Sequence, residues 1–259
     1  MARVFPYLSE AQIERDAEAL LSEFAQVRGI TIAPPIPIEN IVEKHLKLLL
    51  EFDDTHRLFK VPRSGSDPDI LGAIYFDERR IVIDEGLDPY TNPSKEGRYR
   101  FTVAHEGGGH WRLHRHLFVT DPAQGSLFDG PAPPSFVCRS SEAKKREEWQ
   151  ADFYASCMLM PRKLVFAAWD DAFPDRKQRV LKPTSPVDHP FVEIDRFKLQ
   201  MHGAEFARFT DTDNQALDRF AKPFAEKCRV SSSAMRIRLE KLGLLLREVP
   251  LQRILAGGG

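Results

Sequence analysis

Apolar residues recur at helical spacing along the N-terminal segment and predict an opening helix over residues 8–28. The apolar face of this helix comprises Ile13, Ala17, Leu20, Leu21 and Phe24. Ser9 stands just before this face, where its side chain can accept a hydrogen bond from the first turn and act as an N-cap. A proline-rich bend follows, and residues 38–45 then predict a second, shorter helix.

Short apolar runs rich in β-branched residues predict three strands. These runs are residues 46–52, 70–76 and 80–84. Because only the polar residues 77–79 separate the second run from the third, we expect these two strands to form a hairpin. The third strand has two interpretations. It could lie at an edge of the sheet and pair with an extended peptide, or Ile81 and Ile83 could simply belong to the core.

Longer helical patterns follow in the middle of the chain. They predict helices over residues 94–116 and 141–160, the second of which ends at Pro161. Between them lies an irregular stretch, residues 117–137, which contains four prolines. A connection of this length is typical of a lid or a binding loop.

The order of these elements predicts an α+β fold in which a small β-sheet packs on helices. We expect a first domain over residues 1–170 and a mainly helical C-terminal region over residues 171–259, because the charged, proline-containing stretch 171–190 marks a boundary. Hydrophobic residues make up 42% of the 259 residues and charged residues 29%, which excludes a chain that is disordered as a whole.

Cysteine usage and the N-terminal segment indicate a reducing compartment. Three cysteines are too few for a disulfide framework. The chain opens without the apolar run of a secretory signal, and no segment approaches the roughly 18 apolar residues of a transmembrane helix. We therefore expect a cytoplasmic protein without a membrane segment. The net charge of −1 gives no general attraction to nucleic acid.

Histidines concentrate in the segment RFTVAHEGGGHWRLHRH, which spans residues 100–116. His105 and Glu106 match the first two residues of the helical zinc motif H-E-x-x-H. In that motif the two histidines are about 40° apart around the helix, so both reach one ion, and the glutamate deprotonates the water on that ion. Glu148 in the following helix is the candidate third ligand. Asp152, one turn further on, could accept a hydrogen bond from a ligand imidazole and fix its tautomer.

The spacing of this segment departs from H-E-x-x-H by one residue. His105 and His110 are five residues apart, which is about 140° around a regular α-helix. A one-residue π-bulge within Gly107–Gly109 would bring both onto one face, and glycines make that distortion easier. The alternatives are that His105, His110 and His114 combine in another way, or that no metal binds.

Two separated motifs resemble those of the ImmA/IrrE family of zinc metallo-endopeptidases. Members typically carry R-F-T-x-A-H-E-x-G-H and later E-x-x-A-[ND]-x-F-A-x-x-L-L-M-P. The matching residues are Arg100, Phe101, Thr102, Ala104, His105, Glu106, Glu148, Ala151, Asp152, Ala155, Leu159, Met160 and Pro161. Tyr154 and Met158 stand where the family has Phe and Leu, and the resemblance covers roughly residues 10–165.

The resemblance implies a zincin-like minimal metallopeptidase domain followed by the helical region. It implies Zn2+ bound by His105, His110 and Glu148, with Glu106 as the general base. The extra glycine is a departure, since His110 matches the second ligand only if one residue is looped out.

An enzyme of this kind would be an intracellular endopeptidase that hydrolyses a peptide bond in a regulatory protein, for example a transcriptional repressor. The alternative is a metal-poor or inactive family member that acts as a regulatory protein-binding or DNA-binding module. For the group that stabilises the oxyanion, Tyr154, His114 and a residue of the 117–137 stretch are equal candidates.

The segment at about residues 215–245 predicts two helices around Arg229–Ser231, an arrangement similar to a helix-turn-helix. Residues 219–253 carry nine Lys or Arg and three Asp or Glu, a local charge of +6 that would suit phosphates. The alternative, which we favour, is a helical pair that packs on the peptidase domain and whose basic side chains are solvated.

Overall fold

The computed structural model describes residues 5–62, 70–118, 134–139, 145–180 and 213–247. Within these ranges, no helix is both long enough and apolar enough to cross a membrane.

The chain forms two compact units. The first comprises Met1–Leu164 together with Glu226–Ser231, and the second comprises Val165–Ala225 together with Ser232–Gly259. The division expected from the sequence, at residue 170, stays a prediction.

The first unit combines helices with a small mixed sheet, which confirms the α+β class. Its helices are α1 (Glu10–Arg28), α2 (Thr55–Phe59), α3 (Glu96–Val103), α4 (Trp111–His114) and α5 (Arg146–Leu159). Its strands are β1 (Leu49–Asp53), β2 (Ile70–Tyr75), β3 (Arg80–Asp84) and β4 (Phe136–Arg139). Two π-helical turns cover Asn40–His45 and Ala104–His110, and 3-10 turns cover Glu85–Leu87, Pro93–Lys95 and Arg115–Phe118.

Helix α1 forms as its sequence predicts, with its apolar face buried. The side chain of Ser9 accepts a hydrogen bond from the Gln12 backbone at 3.3 Å, and the Gln12 side chain accepts one from the Ser9 backbone at 2.9 Å. This reciprocal pair satisfies two amide groups that the first turn leaves unbonded. Gly29, with a φ of 65°, ends the helix in the left-handed conformation.

The four strands of the first unit form one sheet in the order β1-β3-β2-β4. β2 and β3 are antiparallel, with Gly72 opposite Ile83 and Tyr75 opposite Arg80, so the predicted hairpin is confirmed. The prediction that β3 is an edge strand is wrong, because β1 pairs with it in parallel on its other side. Ile81 and Ile83 are fully buried, as the alternative required.

A continuous helical run over residues 93–118 packs against this sheet, which confirms the helix predicted there. Gly72 of β2 permits the close contact, since a Cβ at this position would lie 2.9 Å from Thr102 Cγ2. Arg100 anchors this helical run to an earlier segment of the chain. Its buried guanidinium donates to the Ile36 carbonyl and lies 3.7 Å from the Glu39 carboxylate.

Strand β4 lies in a region that the sequence predicts to be irregular. It is antiparallel to β2 and forms one edge of the sheet. Its four residues are too few to show a clear alternation, and prolines precede them, which is why the pattern gives no strand there. Most of the predicted lid, residues 119–133, lies outside the described residues.

The remaining elements follow α5. They are α6 (Arg162–Ala172), β5 (Arg179–Val180), α7 (Asp213–Cys228), α8 (Ser232–Lys241) and β6 (Leu245–Leu246). In the second unit the buried Trp169 ring packs against Phe173 and Phe224, and its Nε1 donates to the Lys177 carbonyl at 3.1 Å. The predicted pair of helices around Arg229–Ser231 is confirmed in α7 and α8.

Candidate metal centre

His105 and His110 both lie on the π-helical turn Ala104–His110. A π-helix bonds each residue to the residue five positions on, so side chains with this spacing lie one above the other. The Nε2 atoms of the two imidazoles are 3.1 Å apart. A π-helical bulge, one of the alternatives that the sequence leaves open, is thus present, and it extends from Ala104 to His110 rather than over the glycines alone.

The glycines of this turn allow it to pack closely against α5. A Cβ at Gly108 would lie 2.9 Å from Met158 Sδ, and a Cβ at Gly109 would lie 2.5 Å from the Ala151 Cα. The second contact involves the backbone of α5, so the two helices can approach this closely only because residue 109 has no side chain. The approach brings Glu148, on the preceding turn of α5, beside the histidines.

Glu148 joins the two histidines in one group of donor atoms. Its Oε2 lies 3.2 Å from His105 Nε2, and its Oε1 lies 3.5 Å from His110 Nε2. The ligand atoms of these three residues are close enough together to hold a metal ion. The structure therefore brings together the three residues that the sequence and the resemblance nominate as ligands.

Asp152 lies where the sequence predicts it to act. Its Oδ1 is 2.9 Å from His105 Nδ1, and a carboxylate oxygen can only accept at this contact. The proton of the neutral His105 imidazole must therefore lie on Nδ1. The lone pair of His105 is left on Nε2, the atom that faces His110 and Glu148.

A second chain of hydrogen bonds fixes the orientation of the His110 ring. The last side chain in it, Gln150, is not among the residues that the sequence nominates. The Gln150 amide donates to the Pro6 carbonyl at 2.8 Å, so its oxygen faces His114 Nε2 at 2.9 Å. His114 must donate there, which leaves its Nδ1 to accept from His110 Nδ1 at 2.9 Å. The lone pair of His110 is consequently on Nε2 as well. Gln150 is fully buried, and no local pattern in the sequence indicates it.

These two tautomers leave a position that requires positive charge. Two imidazole lone pairs face each other at 3.1 Å beside the Glu148 carboxylate, and such a group is repulsive unless a cation lies within it. The pKa of His105 is raised accordingly: burial opposes its protonation, but the contacts with Cys138, Asp152 and Glu148 outweigh burial. The group thus attracts a proton or a metal ion.

The other two donors have the ionisation states that metal binding requires. Burial lowers the pKa of His110 to about 3, so this imidazole is neutral at pH 7. Burial opposes the ionisation of Glu148, yet its contacts with His105 and His110 outweigh burial and lower its pKa. A neutral imidazole and a charged carboxylate need not lose a proton before they bind a metal ion.

Glu106 is fully buried beside this group; neither of its carboxylate oxygens accepts a hydrogen bond of normal geometry from the described residues, although the Cys138 backbone amide lies near enough to oppose the rise of its pKa. Burial raises its pKa to about 8; the His105 charge opposes this rise, and Glu148 and Asp152 add to it. A buried carboxylate without a partner is costly and calls for a ligand or a function. A pKa near the working pH is what efficient proton transfer requires.

The two described candidates for stabilising an oxyanion are engaged elsewhere. The Tyr154 hydroxyl donates to Asp16 Oδ1 at 2.9 Å, and Arg112 donates to the same atom at 3.0 Å. This network connects α5, α1 and α4. Both ring nitrogens of His114 are used in the chain that leads to Gln150. The third candidate, from the 117–137 stretch, falls mainly on residues outside the described ranges.

Basic side chains of α8 are engaged within the second unit. Arg236 donates to Asp218 at 2.6 Å and to Glu240 at 3.3 Å. Arg238 is 1% exposed and therefore cannot present its charge to a phosphate without moving. The expectation that these basic side chains are solvated is therefore wrong for Arg236 and Arg238, and the alternative of nucleic-acid binding stays untested.

A comparison with known protein families found no match for this chain, and a search of curated proteins found none either. The chemistry of the site therefore has to be inferred from its own geometry.

Proposed function

We propose that this chain is a zinc-dependent endopeptidase of the ImmA/IrrE type with a zincin-like fold. The observation that carries the proposal is the buried, unpartnered carboxylate of Glu106 beside a three-residue group that attracts a cation. Metal-assisted hydrolysis needs both parts, a ligand group and an adjacent base. The order of the two sequence motifs along the chain supports the same class of enzyme.

Zinc fits the donor group in kind and in size. Two imidazoles and one carboxylate are a ligand set found in catalytic zinc sites, whereas structural sites are usually closed by four protein ligands. Zinc–ligand bonds of about 2.0–2.2 Å place the corners of a tetrahedron about 3.3–3.6 Å apart. The corresponding separations here are 3.1, 3.2 and 3.5 Å.

The roles of the residues follow from their positions. Zinc held by His105, His110 and Glu148 would polarise the scissile carbonyl and make water acidic enough to attack it at neutral pH. Glu106 would accept the proton from the attacking water and deliver it to the leaving amine. Asp152 holds the His105 ring through Nδ1, so that its Nε2 stays directed at the ligand group.

The proposed substrate is an intracellular regulatory protein, for example a transcriptional repressor, and the proposed site of action is the cytoplasm. The substrate class comes from the resemblance of the two motifs. The compartment comes from the low number of cysteines, and the three that the chain contains are all buried and form no disulfide.

The test is the Glu106→Gln variant of the full-length protein, assayed with zinc on a library of internally quenched peptides. Loss of the base should lower the rate by about 10²- to 10⁴-fold, with zinc content and fold unchanged. Glu147→Gln is the matched control, because it makes the same change on α5 next to a ligand and should leave the rate intact. An undiminished rate in Glu106→Gln would exclude Glu106 as the base. A zinc-loaded wild-type protein that cleaves no peptide would favour the regulatory module instead.

A further inference from the structure

Strand β4 directs a cysteine toward the buried carboxylate. Phe136 and Cys138 are two residues apart on this strand, so their side chains lie on the same face. Phe136 stacks on the His110 ring with 3.9 Å between ring centroids, while Val137 packs against the opposite face of the sheet. The Cys138 thiol is buried and in hydrogen-bonding contact with His105.

An irregularity in the sheet occurs where Cys138 pairs. Cys138 lies opposite Gly72 and Arg139 lies opposite Ile70, so Leu71 has no counterpart on β4. The extra residue lies on β2, and bulges of this kind are common beside active sites. The irregular register thus occurs beside the pair that contains Cys138, whose Sγ lies within 4.8 Å of ligand atoms of Glu106 and His105.

His105, Glu106 and Cys138 form a group whose ligand atoms all lie within 4.8 Å of one another, and all three residues are buried. The cysteine is not an isolated feature, because Glu106 supplies an independent indication of a ligand. Its carboxylate is 0% exposed, and neither oxygen accepts a hydrogen bond of normal geometry from the described residues. A cation between the thiol and the carboxylate would satisfy both.

We propose that His105, Glu106 and Cys138 form a second metal site, which binds a thiophilic ion and shares His105 with the first. Because Asp152 occupies His105 Nδ1, only Nε2 is left for either group, and the two sites cannot be filled together. An ion in the second site takes the Glu106 carboxylate as a ligand. It therefore removes the base, so the second site is inhibitory. This consequence rests on the proposed function, whereas the metal site itself does not.

The chemistry of the second site differs from that of the first by one soft donor. Burial raises the pKa of the Cys138 thiol, and the neighbouring His105 opposes this rise. On binding, the Sγ–H bond breaks, the proton passes to solvent and the thiolate sulfur bonds to the ion. Thiolate ligands select soft ions, whereas the carboxylate and imidazoles of the first site suit harder ones.

Titration of the metal-free, full-length protein with Cd2+ tests the second site through the near-ultraviolet absorption of a thiolate–cadmium bond. The wild-type protein should develop this band, and Cys138→Ala should lose it and bind Cd2+ at least about tenfold more weakly. Cys157→Ala and Cys228→Ala are matched controls, because each removes another buried thiol and should retain the band. Absence of the band from the wild type, or its persistence in Cys138→Ala, would overturn the proposal.

A measurement on the wild-type protein covers the case in which Cys138→Ala does not fold. Cd2+ should slow alkylation of Cys138 by N-ethylmaleimide at least about tenfold, as quantified by mass spectrometry of the Cys138 peptide. Equal alkylation with and without Cd2+ would contradict a Cys138 ligand.

The Glu148→Ala variant separates this proposal from the proposed function. It removes a ligand of the first site only, so it should lose zinc-dependent hydrolysis and still develop the thiolate–cadmium band. Loss of the band together with the hydrolysis would show that Cys138 does not belong to a separate group. A wild-type protein with the band but without peptidase activity would refute the enzyme and leave the second site standing.

Discussion

Replacing Gly109 by alanine would test whether the close packing of the π-helical turn against α5 sets the ligand geometry. The new Cβ would lie 2.5 Å from the Ala151 Cα, whereas unstrained carbon contacts are about 3.5–4.0 Å. Because the obstacle is backbone, α5 would have to retreat by about 1 Å. Glu148 lies on the preceding turn of α5 and would retreat with it.

Two opposing terms set the stability of this variant. Overpacking a buried contact costs about 1–3 kcal/mol, and replacing a helical glycine by alanine returns about 1 kcal/mol. The metal-free variant should therefore lose about 0–2 kcal/mol of unfolding free energy. The effect on metal binding should be larger, since metal–ligand distances tolerate only about 0.2 Å. We expect zinc affinity to fall by at least about tenfold.

The assay is competition for zinc with a chromogenic chelator, combined with urea unfolding of the metal-free protein. Gly108→Ala is the control, because it gives the same gain in helix propensity and its Cβ meets side chains rather than backbone, namely the flexible end of Met158 at 2.9 Å and the Tyr154 ring at 3.1 Å. It should keep near-native affinity. Equal zinc affinity in the Gly109→Ala and Gly108→Ala variants would refute the proposed role of the contact with α5.

Further predictions concern the groups that orient the ligands and the ion itself. Gln150→Met should weaken zinc binding by about 10- to 100-fold, because His114 loses its acceptor; an unchanged Kd would show that the chain through His114 does not orient the ligand. Asp152→Ala should weaken binding to a similar extent, and full retention of affinity would contradict its role as the acceptor for His105. Deleting Gly108 gives HEGGH and removes the conformational cost of the π-helical turn, so zinc should bind more tightly; weaker binding would show that the turn has no cost that metal binding must offset. Chelation should lower the Tm reversibly, because an ion that binds only the folded state stabilises it, and a Tm indifferent to zinc would count against the site.

Local patterns in the sequence predict a large part of the fold and of the site. Helix α1 is specified by a capping residue and by apolar positions within one segment, and the β2–β3 hairpin by a short turn. The five-residue spacing of His105 and His110, filled with glycines, allows the π-helical bulge as one of several alternatives, and the structure selects it. Glu148 was nominated because it belongs to a second local motif.

The features that were missed depend on contacts between distant segments. β3 is central rather than at an edge because β1 pairs with it, and no pattern within β3 indicates that partner. β4 is identified as a strand only through its pairing with β2. Gln150 acts through a bond to Pro6, which is 144 residues away in the sequence. Nonlocal pairings of this kind cannot be derived from the periodicity of one segment.

The most direct test of the proposed centre is the zinc content of the purified full-length protein, measured by elemental analysis in the wild type and in Glu148→Ala. The wild type should contain about one zinc per chain, as a single catalytic site requires, and Glu148→Ala should lose most of it. Glu147→Ala, which alters the neighbouring carboxylate, should keep the wild-type content. Wild-type protein without zinc, or a Glu148→Ala variant that retains it in full, would contradict the proposal that His105, His110 and Glu148 hold the metal ion.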